Sequence, residues 1–214
     1  MGRAEGLYAA LVTHGAEAGS DPFAAHVAAA ILALAADEAA REGVTLAERS
    51  GLDGGDHAEL ALLVFGGFGL SAGAVTSLSP DPQEQTLRDI LWMNAGAASR
   101  FEALLARMIA RRALRPNHLW QDLGLAHRSE LTMLMQRHFP RLAQRNAQDM
   151  KWKKFFYRMM CSGAGFTLCA APVCSECDDF ETCFGNEDGE SLLARMANGR
   201  GVLQGAMIAQ GGVA

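Results

Sequence analysis

The chain has 214 residues, half of them hydrophobic and a fifth charged, enough to bury one good core or one core plus a small metal-stapled appendage. Its formal net charge of -5 argues against a general nucleic-acid binder, which would carry a basic excess. Met1 to Gly15 sets Arg3, Glu5 and His14 among its apolar residues and so lacks the charged start and continuous apolar core of a secretion signal. The expectation is a soluble cytoplasmic protein whose cysteines are reduced and ready for metal.

The first clear helix begins at Asp21, an N-cap, with Pro22 at the first helical position and Gly43 as the stop. Phe23, Val27, Ile31 and Leu34 fall on one face of it, which makes it a scaffold helix and His26 a structural residue. A shorter pair follows around Leu46 to Arg49 and Asp56 to Val64, with Gly51, Gly54 and Gly55 between. It looks like a helix-turn-helix but has no basic recognition face. Leu60 to Pro80 carries no charge and is nominally long enough to cross a bilayer. Gly66, Gly67, Gly69 and Gly73, with Thr76, Ser77 and Ser79 after them, break it into a short buried helix and a flexible connection, so no membrane span is expected.

Pro80 and Pro82 open a long helical stretch in which Leu87, Leu91, Asn94, Ala98, Phe101, Leu105 and Met108 recur every three or four residues, with Gly96 as a bend. It ends on Arg107, Arg111, Arg112 and Arg115. The helix dipole favours such charge on its own account, and an oxyanion-receiving patch is the sharper alternative. Pro116 ends the helix and, with it, an N-terminal helical scaffold of residues 1–115.

From 116 to 196 the composition turns polar and aromatic. A helix runs from Ser129 to Phe139, interrupted by Pro140, and His118, His127 and His138 lie in this stretch. Each reads first as a hydrogen-bonded structural histidine. Lys151 to Cys161 is the best amphipathic helix of the chain: Trp152, Phe155, Phe156, Met159 and Met160 make a buried stripe, and the lysines a solvated face. Cys161 falls opposite the centre of that stripe, on the side of Lys154 and Arg158, as a fifth ligand or transfer cysteine.

Cys169, Cys174, Cys177 and Cys183 then form C-x4-C-x2-C-x5-C, four of the five cysteines in one short segment. Thiolates are soft, strong ligands for iron and zinc, and short spacers let one irregular loop wrap several around a single centre. Zinc sites usually use two separated C-x2-C pairs, and only one is present. The first three cysteines have the spacing of plant-type ferredoxin ligands, so an iron-sulfur cluster leads, with zinc second and a disulfide or unmetallated loop third. Glu176, Asp178, Asp179 and Glu181 keep the loop soluble, or offer hard oxygen ligands. After Ser191 to Arg195, a last helical turn, residues 197–214 read as a loose tail. No nucleotide loop of the form G-x-x-x-x-G-K-[ST] occurs.

The stretch from Pro116 to Arg195 resembles the NifQ family. The resemblance rests on His118-Leu119-Trp120-Gln121-Asp122-Leu123-Gly124-Leu125, on Arg137-His138-Phe139-Pro140, and on Asn146 with Asp149 through Arg158. The four loop cysteines and Cys183-Phe184-Gly185 complete it. It implies a molybdenum-iron-sulfur protein, a carrier and not an enzyme. Such a protein takes molybdate as metal source, holds a cluster on Cys169, Cys174, Cys177 and Cys183, and donates molybdenum to nitrogenase iron-molybdenum cofactor synthesis. The receiving partners it implies are the nitrogenase iron protein and the cofactor-maturation scaffold complex. Molybdenum wants more ligands than shared thiolates supply, and the candidates are His118, His127, His138 and Cys161. One chain can also bridge a cluster with a second copy. An iron-sulfur electron-transfer module and a structural zinc protein remain the alternatives. The fold expected is all-α: a helical bundle-like domain with an irregular C-terminal cysteine-rich loop.

Overall fold

A computed structural model describes residues 2–69 and 78–162, and among them there are ten helices and no strand. The protein is all-α. The cysteine loop, the turn at 191–195 and the tail at 197–214 lie outside the described residues, as does the connection at 70–77.

The first helix, α1 (Arg3–Glu17), did not stand out in the sequence because its contact surface is built from small residues, Ala4 and Gly15 beside Leu11. At Gly15 an added Cβ would sit 2.8 Å from the Cβ of Ala25, so the bare backbone is what lets α1 lie close on α2 (Pro22–Glu42). The start and stop of α2 are those expected. Asp21 accepts the Ala24 N–H at 2.8 Å, Pro22 follows, and Gly43 closes the helix at φ 68°. Its burial is wider than one face, for every residue from Val27 to Ala35 is enclosed. By length and composition α2 could cross a membrane, but 67% of the qualifying window is buried inside this fold. Alanines at 28, 29, 30, 33 and 35 make it the central rod against which neighbours close from several sides.

Next come α3 (Leu46–Ser50) and α4 (Gly54–Val64), each opened by a reciprocal cap, Thr45 with Glu48 and Asp53 with Asp56. The single long helix read from Pro80 to Arg115 is instead two, α5 (Pro82–Met93) and α6 (Arg100–Ala113). Gly96 does not bend a continuous rod. Its N–H leaves the helical ladder for the carbonyl of His138 at 2.9 Å, Ala98 turns to φ 51°, and Ser99 starts a new helix with Glu102 as its return cap. The S-x-x-E string at 99–102 was the signal for this break.

The last four helices are α7 (Leu119–Asp122), α8 (Arg128–His138), α9 (Pro140–Arg145) and α10 (Trp152–Ser162). Pro140 ends α8 and also occupies the first position of α9. The aromatic stripe of α10 is buried as expected at Trp152, Phe155, Phe156 and Met160, each contributing about 1.5–3 kcal/mol by its removal from water. One core cluster runs from Leu11 through Leu60, Leu91, Leu105, Leu123 and Met135 to Met160. The platform that leads into the cysteine segment is therefore packed into the same core as α2.

Candidate metal centre

The four cysteines Cys169, Cys174, Cys177 and Cys183 lie outside the described residues, and Cys161 is placed only as a position in the last turn of α10. What the structure builds is the body to which this segment is attached.

A buried polar lock fixes that body. Arg112, fully enclosed, donates to Glu38 through both terminal nitrogens at 2.6 and 3.0 Å and through Nε to the Asp122 carbonyl at 2.6 Å. Asp122 accepts from Lys153 Nζ at 2.6 Å and from Asn117 Nδ2 at 3.0 Å, and Lys153 also donates to the carbonyl of Arg115. One chain of contacts thus joins α2, α6, α7 and α10. Burial pushes the Asp122 carboxyl above its usual value, against the opposing pull of Lys153, Asn117 and Arg112. Lys153 corrects the expectation of a solvated lysine face, because it is only 3% exposed. Residues 153, 156, 157 and 160 repeat at helical spacing just beside the aromatic stripe, and that second stripe was the sign that Lys153 points inward.

The arginines at the end of α6 do not form an oxyanion patch. Arg107 meets Asp56, Arg111 meets Glu84 at 3.0 Å, Arg112 meets Glu38, and Arg115 meets Glu42 at 2.7 Å. Each guanidinium is neutralised by a carboxylate from another helix, a stronger use than the helix dipole.

The three candidate histidines take different places. His118 caps α7, its backbone N–H donating to Gln121 Oε1 at 3.1 Å. His127 is exposed at the start of α8. His138, at the end of α8, lies with Nδ1 3.6 Å from Glu102 Oε1 and edge-on to Phe101 at 5.3 Å between ring centres. Burial holds the His138 pKa below its ordinary value, with Glu102 raising it and Arg137 lowering it. Among the described residues no three His, Cys, Asp or Glu side chains converge to hold a metal ion, so these histidines do not form a site of their own. His26 is structural as expected, hydrogen-bonded through Nδ1 to the Tyr8 hydroxyl at 2.8 Å and 3.5 Å from Glu130 through Nε2.

Beside α10 the turn from α9 leaves an open cavity of about 350 Å³, within the size range of small-molecule sites. Arg145 and Arg158 border it, with Gln148 and the side chains of Met150, Phe155 and Met159. Asn146 shapes the turn, its amide donating to the Met150 carbonyl and its oxygen accepting the Met150 N–H, both at 2.9 Å. Sequence reasoning passed over this cavity because Arg145 and Arg158 are thirteen positions apart on different helices.

The string Gly69-Leu70-Ser71-Ala72-Gly73 has the G-x-S-x-G spacing of a hydrolase nucleophile elbow, which the reading of the sequence overlooked. That motif requires a strand leading into the serine. The element before it here is the helix α4, no strand occurs among the described residues, and Ser71 itself lies outside them.

The family model NifQ matches residues 27–185, from the second turn of α2 to just past the last loop cysteine. The chain belongs to the NifQ family. It is 38% identical over 154 residues to Protein NifQ of Rhodobacter capsulatus, covering 72% of this chain and 86% of that one. It is 49% identical over 117 residues to a Protein NifQ homolog of Sinorhizobium fredii (strain NBRC 101917 / NGR234), covering 55% of this chain. That match spans about half, 51%, of the relative's length. Protein NifQ of Azotobacter vinelandii is 43% identical over 86 residues, covering 40% of this chain and 44% of the relative. No solved structure matches the chain. Within NifQ, the matched span takes in the polar lock, the three histidines, Cys161 and all four loop cysteines.

Proposed function

We propose that this chain is a molybdenum carrier for nitrogenase iron-molybdenum cofactor biosynthesis. It binds or assembles a molybdenum-iron-sulfur cluster as cargo on Cys169, Cys174, Cys177 and Cys183 and passes molybdenum on. The observation that carries this reading is that the span of the family match takes in the whole C-x4-C-x2-C-x5-C segment and ends at residue 185. Soft thiolates suit iron and a sulfide-bonded molybdenum, with molybdate as the metal source. The protein acts as a donor and not as an enzyme, in the cytoplasm, with the nitrogenase iron protein and the cofactor-maturation scaffold complex as its receivers. Cys161, one turn beyond Arg158 on α10, and His118 and His127, at the starts of α7 and α8, are the further candidate ligands. His138 is the weakest of the four candidates because it already faces Glu102.

The test is iron, molybdenum and acid-labile sulfide analysis with electron paramagnetic resonance on protein purified without oxygen from molybdate-fed cells. Iron, sulfide and molybdenum present together, and lost together in a Cys174→Ala Cys177→Ala variant, are the expected result. Iron and sulfide without molybdenum would favour the electron-transfer module, and zinc alone would overturn the cluster.

A further inference from the structure

Two turns of the chain meet where α5 gives way to α6 and α8 to α9. Gly96 donates its N–H to the His138 carbonyl at 2.9 Å, and the Pro140 ring lies 3.2 Å from where a Cβ on Gly96 would stand. The Arg141 guanidinium reaches back to 3.5 Å from the Met93 carbonyl. On this joint Trp92 is 44% and Met93 64% exposed, with Ala97 and Ala98 open to solvent beside them. Single exposed apolar residues need no explanation, but a Trp-Met pair held out on a braced turn does. Arg141 and Arg145, one turn apart on the outer side of α9, are also exposed, and neither has a carboxylate partner among the described residues. Arg128, Arg137 and the four arginines that end α6 are all paired. Leu62 and Leu63 on α4 are exposed as well, but their neighbouring cation, Arg100, is held by Glu59 at 2.7 Å.

We infer that this two-turn surface, Trp92 and Met93 flanked by Arg141 and Arg145, docks a protein partner that offers an apolar recess rimmed with carboxylates. Taking that partner to be the receiver of molybdenum rests on the proposed function; the docking surface itself does not. Its composition is that of an interface centre, where Trp, Met and Arg are enriched and Lys, Glu and Asp depleted. Charge selects the occupant. A chain of net charge -5 repels an acidic protein on average, and unpaired cations admit it at this face and in one orientation. Two carboxylates lie close by without meeting the arginines. Glu102 is 3% exposed and accepts from the Ala97 and Ser99 N–H groups, and Asp89, one turn before Met93, accepts from Gln85 Nε2 at 2.8 Å. An isologous contact with a second copy would set the same two cations against themselves. A stable complex buries about 800 Å² per partner, well beyond what this small surface offers, so the contact is brief. Little ordering is left for docking to cost, because the Gly96 bond, the Asn94 side-chain bond to the Ile90 carbonyl at 2.7 Å and Ala98 at φ 51° already set the turn. Arg145 also borders α10 at Phe155 and Met159, so a docked partner lies alongside the helix that precedes the cysteine segment in sequence.

The experiment measures binding kinetics of the full chain, purified without oxygen from molybdate-fed cells, over immobilised nitrogenase iron protein and, separately, the immobilised cofactor-maturation scaffold complex. The unmodified chain is expected to bind at least one of them with fast release, and more weakly as ionic strength rises. Met93→Glu and Arg141→Glu Arg145→Glu are each expected to weaken that binding at least about tenfold. Charge reversal should act chiefly on the association rate and flatten the salt dependence. Arg141→Lys Arg145→Lys should keep most of the affinity, and Leu62→Glu, on the other exposed apolar turn, should leave it unchanged. The substituted residues are all exposed, and a thermal melt of each variant verifies the fold. Binding that is unchanged in both Glu variants of the patch would overturn the surface, as would no binding of the unmodified chain to either protein. Self-association that Met93→Glu abolishes would also overturn it, since a second copy would then be the occupant. Patch-dependent binding by a chain that never acquires molybdenum with its iron and sulfide would leave the surface standing and sink the carrier reading. Molybdenum in the chain with patch-independent binding would do the reverse.

Discussion

Lys153 Nζ lies 2.6 Å from Asp122 Oδ2, both side chains almost wholly out of water, and this contact joins two strings of sequence 31 positions apart. A buried pair of this kind is weak evidence of net stabilisation, because desolvating both charges consumes most of the attraction. Losing one partner is a different matter. Lys153→Met strands a buried carboxylate and should cost about 3–5 kcal/mol, whereas Asp122→Asn Lys153→Met should recover a large part of that loss. Urea midpoints of the three proteins give the answer; equal loss in the single and double variants would show that the pair is not coupled.

Gly124 is the second expected point of sensitivity. It sits at φ 74°, and a Cβ there would come within 2.8 Å of the Ala30 carbonyl on α2. Gly19, at φ 69°, has open space around the same position. Gly19→Ala thus carries backbone strain alone, of about 1 kcal/mol, while Gly124→Ala adds the collision with the central helix and should cost about 1–3 kcal/mol more. Comparing the two melting curves isolates the close approach of α7 to α2.

Acid should weaken the fold in two stages. His57, 1% exposed, donates from Nδ1 to the Asp53 carbonyl at 2.9 Å and accepts at Nε2 from the Ser50 hydroxyl at 3.1 Å. Burial lowers its pKa, and that of His138, below the ordinary 6.5. Between 6.5 and those lower values the unfolded chain binds protons that the folded chain refuses, so stability is lost as pH falls through this window. At Glu130 burial acts to raise the pKa, but the bonds from His26 and Ala126 outweigh it. At Asp21 the leading cause is the Ala24 N–H, and both carboxyls end below their ordinary values of 4.5 and 3.8. Their contribution is present above those values and disappears as pH falls through the lower folded ones. Asp122, shifted upward, works against the trend. His57→Gln should flatten the first stage, and urea unfolding at stepped pH from 7.5 to 3.5 would reveal a slope unaffected by that change if the assignment is wrong.

Much of this was legible in the residues. Asp21-Pro22 and Gly43 marked α2 because caps and stops are local chemistry, and the stripe of α10 followed from helical spacing. The burial of α2 on all sides was not legible, since alanine carries little signal about which way it faces. The break between α5 and α6 was hidden by apolar spacing that stayed in phase across Asn94 to Ser99. Lys153 and Asp122 were missed because a lysine beside an aromatic stripe is ordinarily solvated, and only its partner 31 positions earlier makes its burial affordable. The family resemblance was carried by the same strings, which prove to hold the lock (Asp122, Lys153), the close approach (Gly124) and the turn (Asn146). The candidate cysteine site was legible only as spacing, and the described residues add the helix, α10, from which its segment follows.

The helices that lie most closely together are neighbours along the chain, α1 on α2, α2 on α3, α5 on α6 and α8 on α9. Such local pairing makes for rapid folding, and a nascent chain emerges from its N-terminus onward. The core residues from Leu11 to Met160 all precede Cys169 in order of synthesis. During translation, then, the described hydrophobic interior has the opportunity to close before Cys169 emerges.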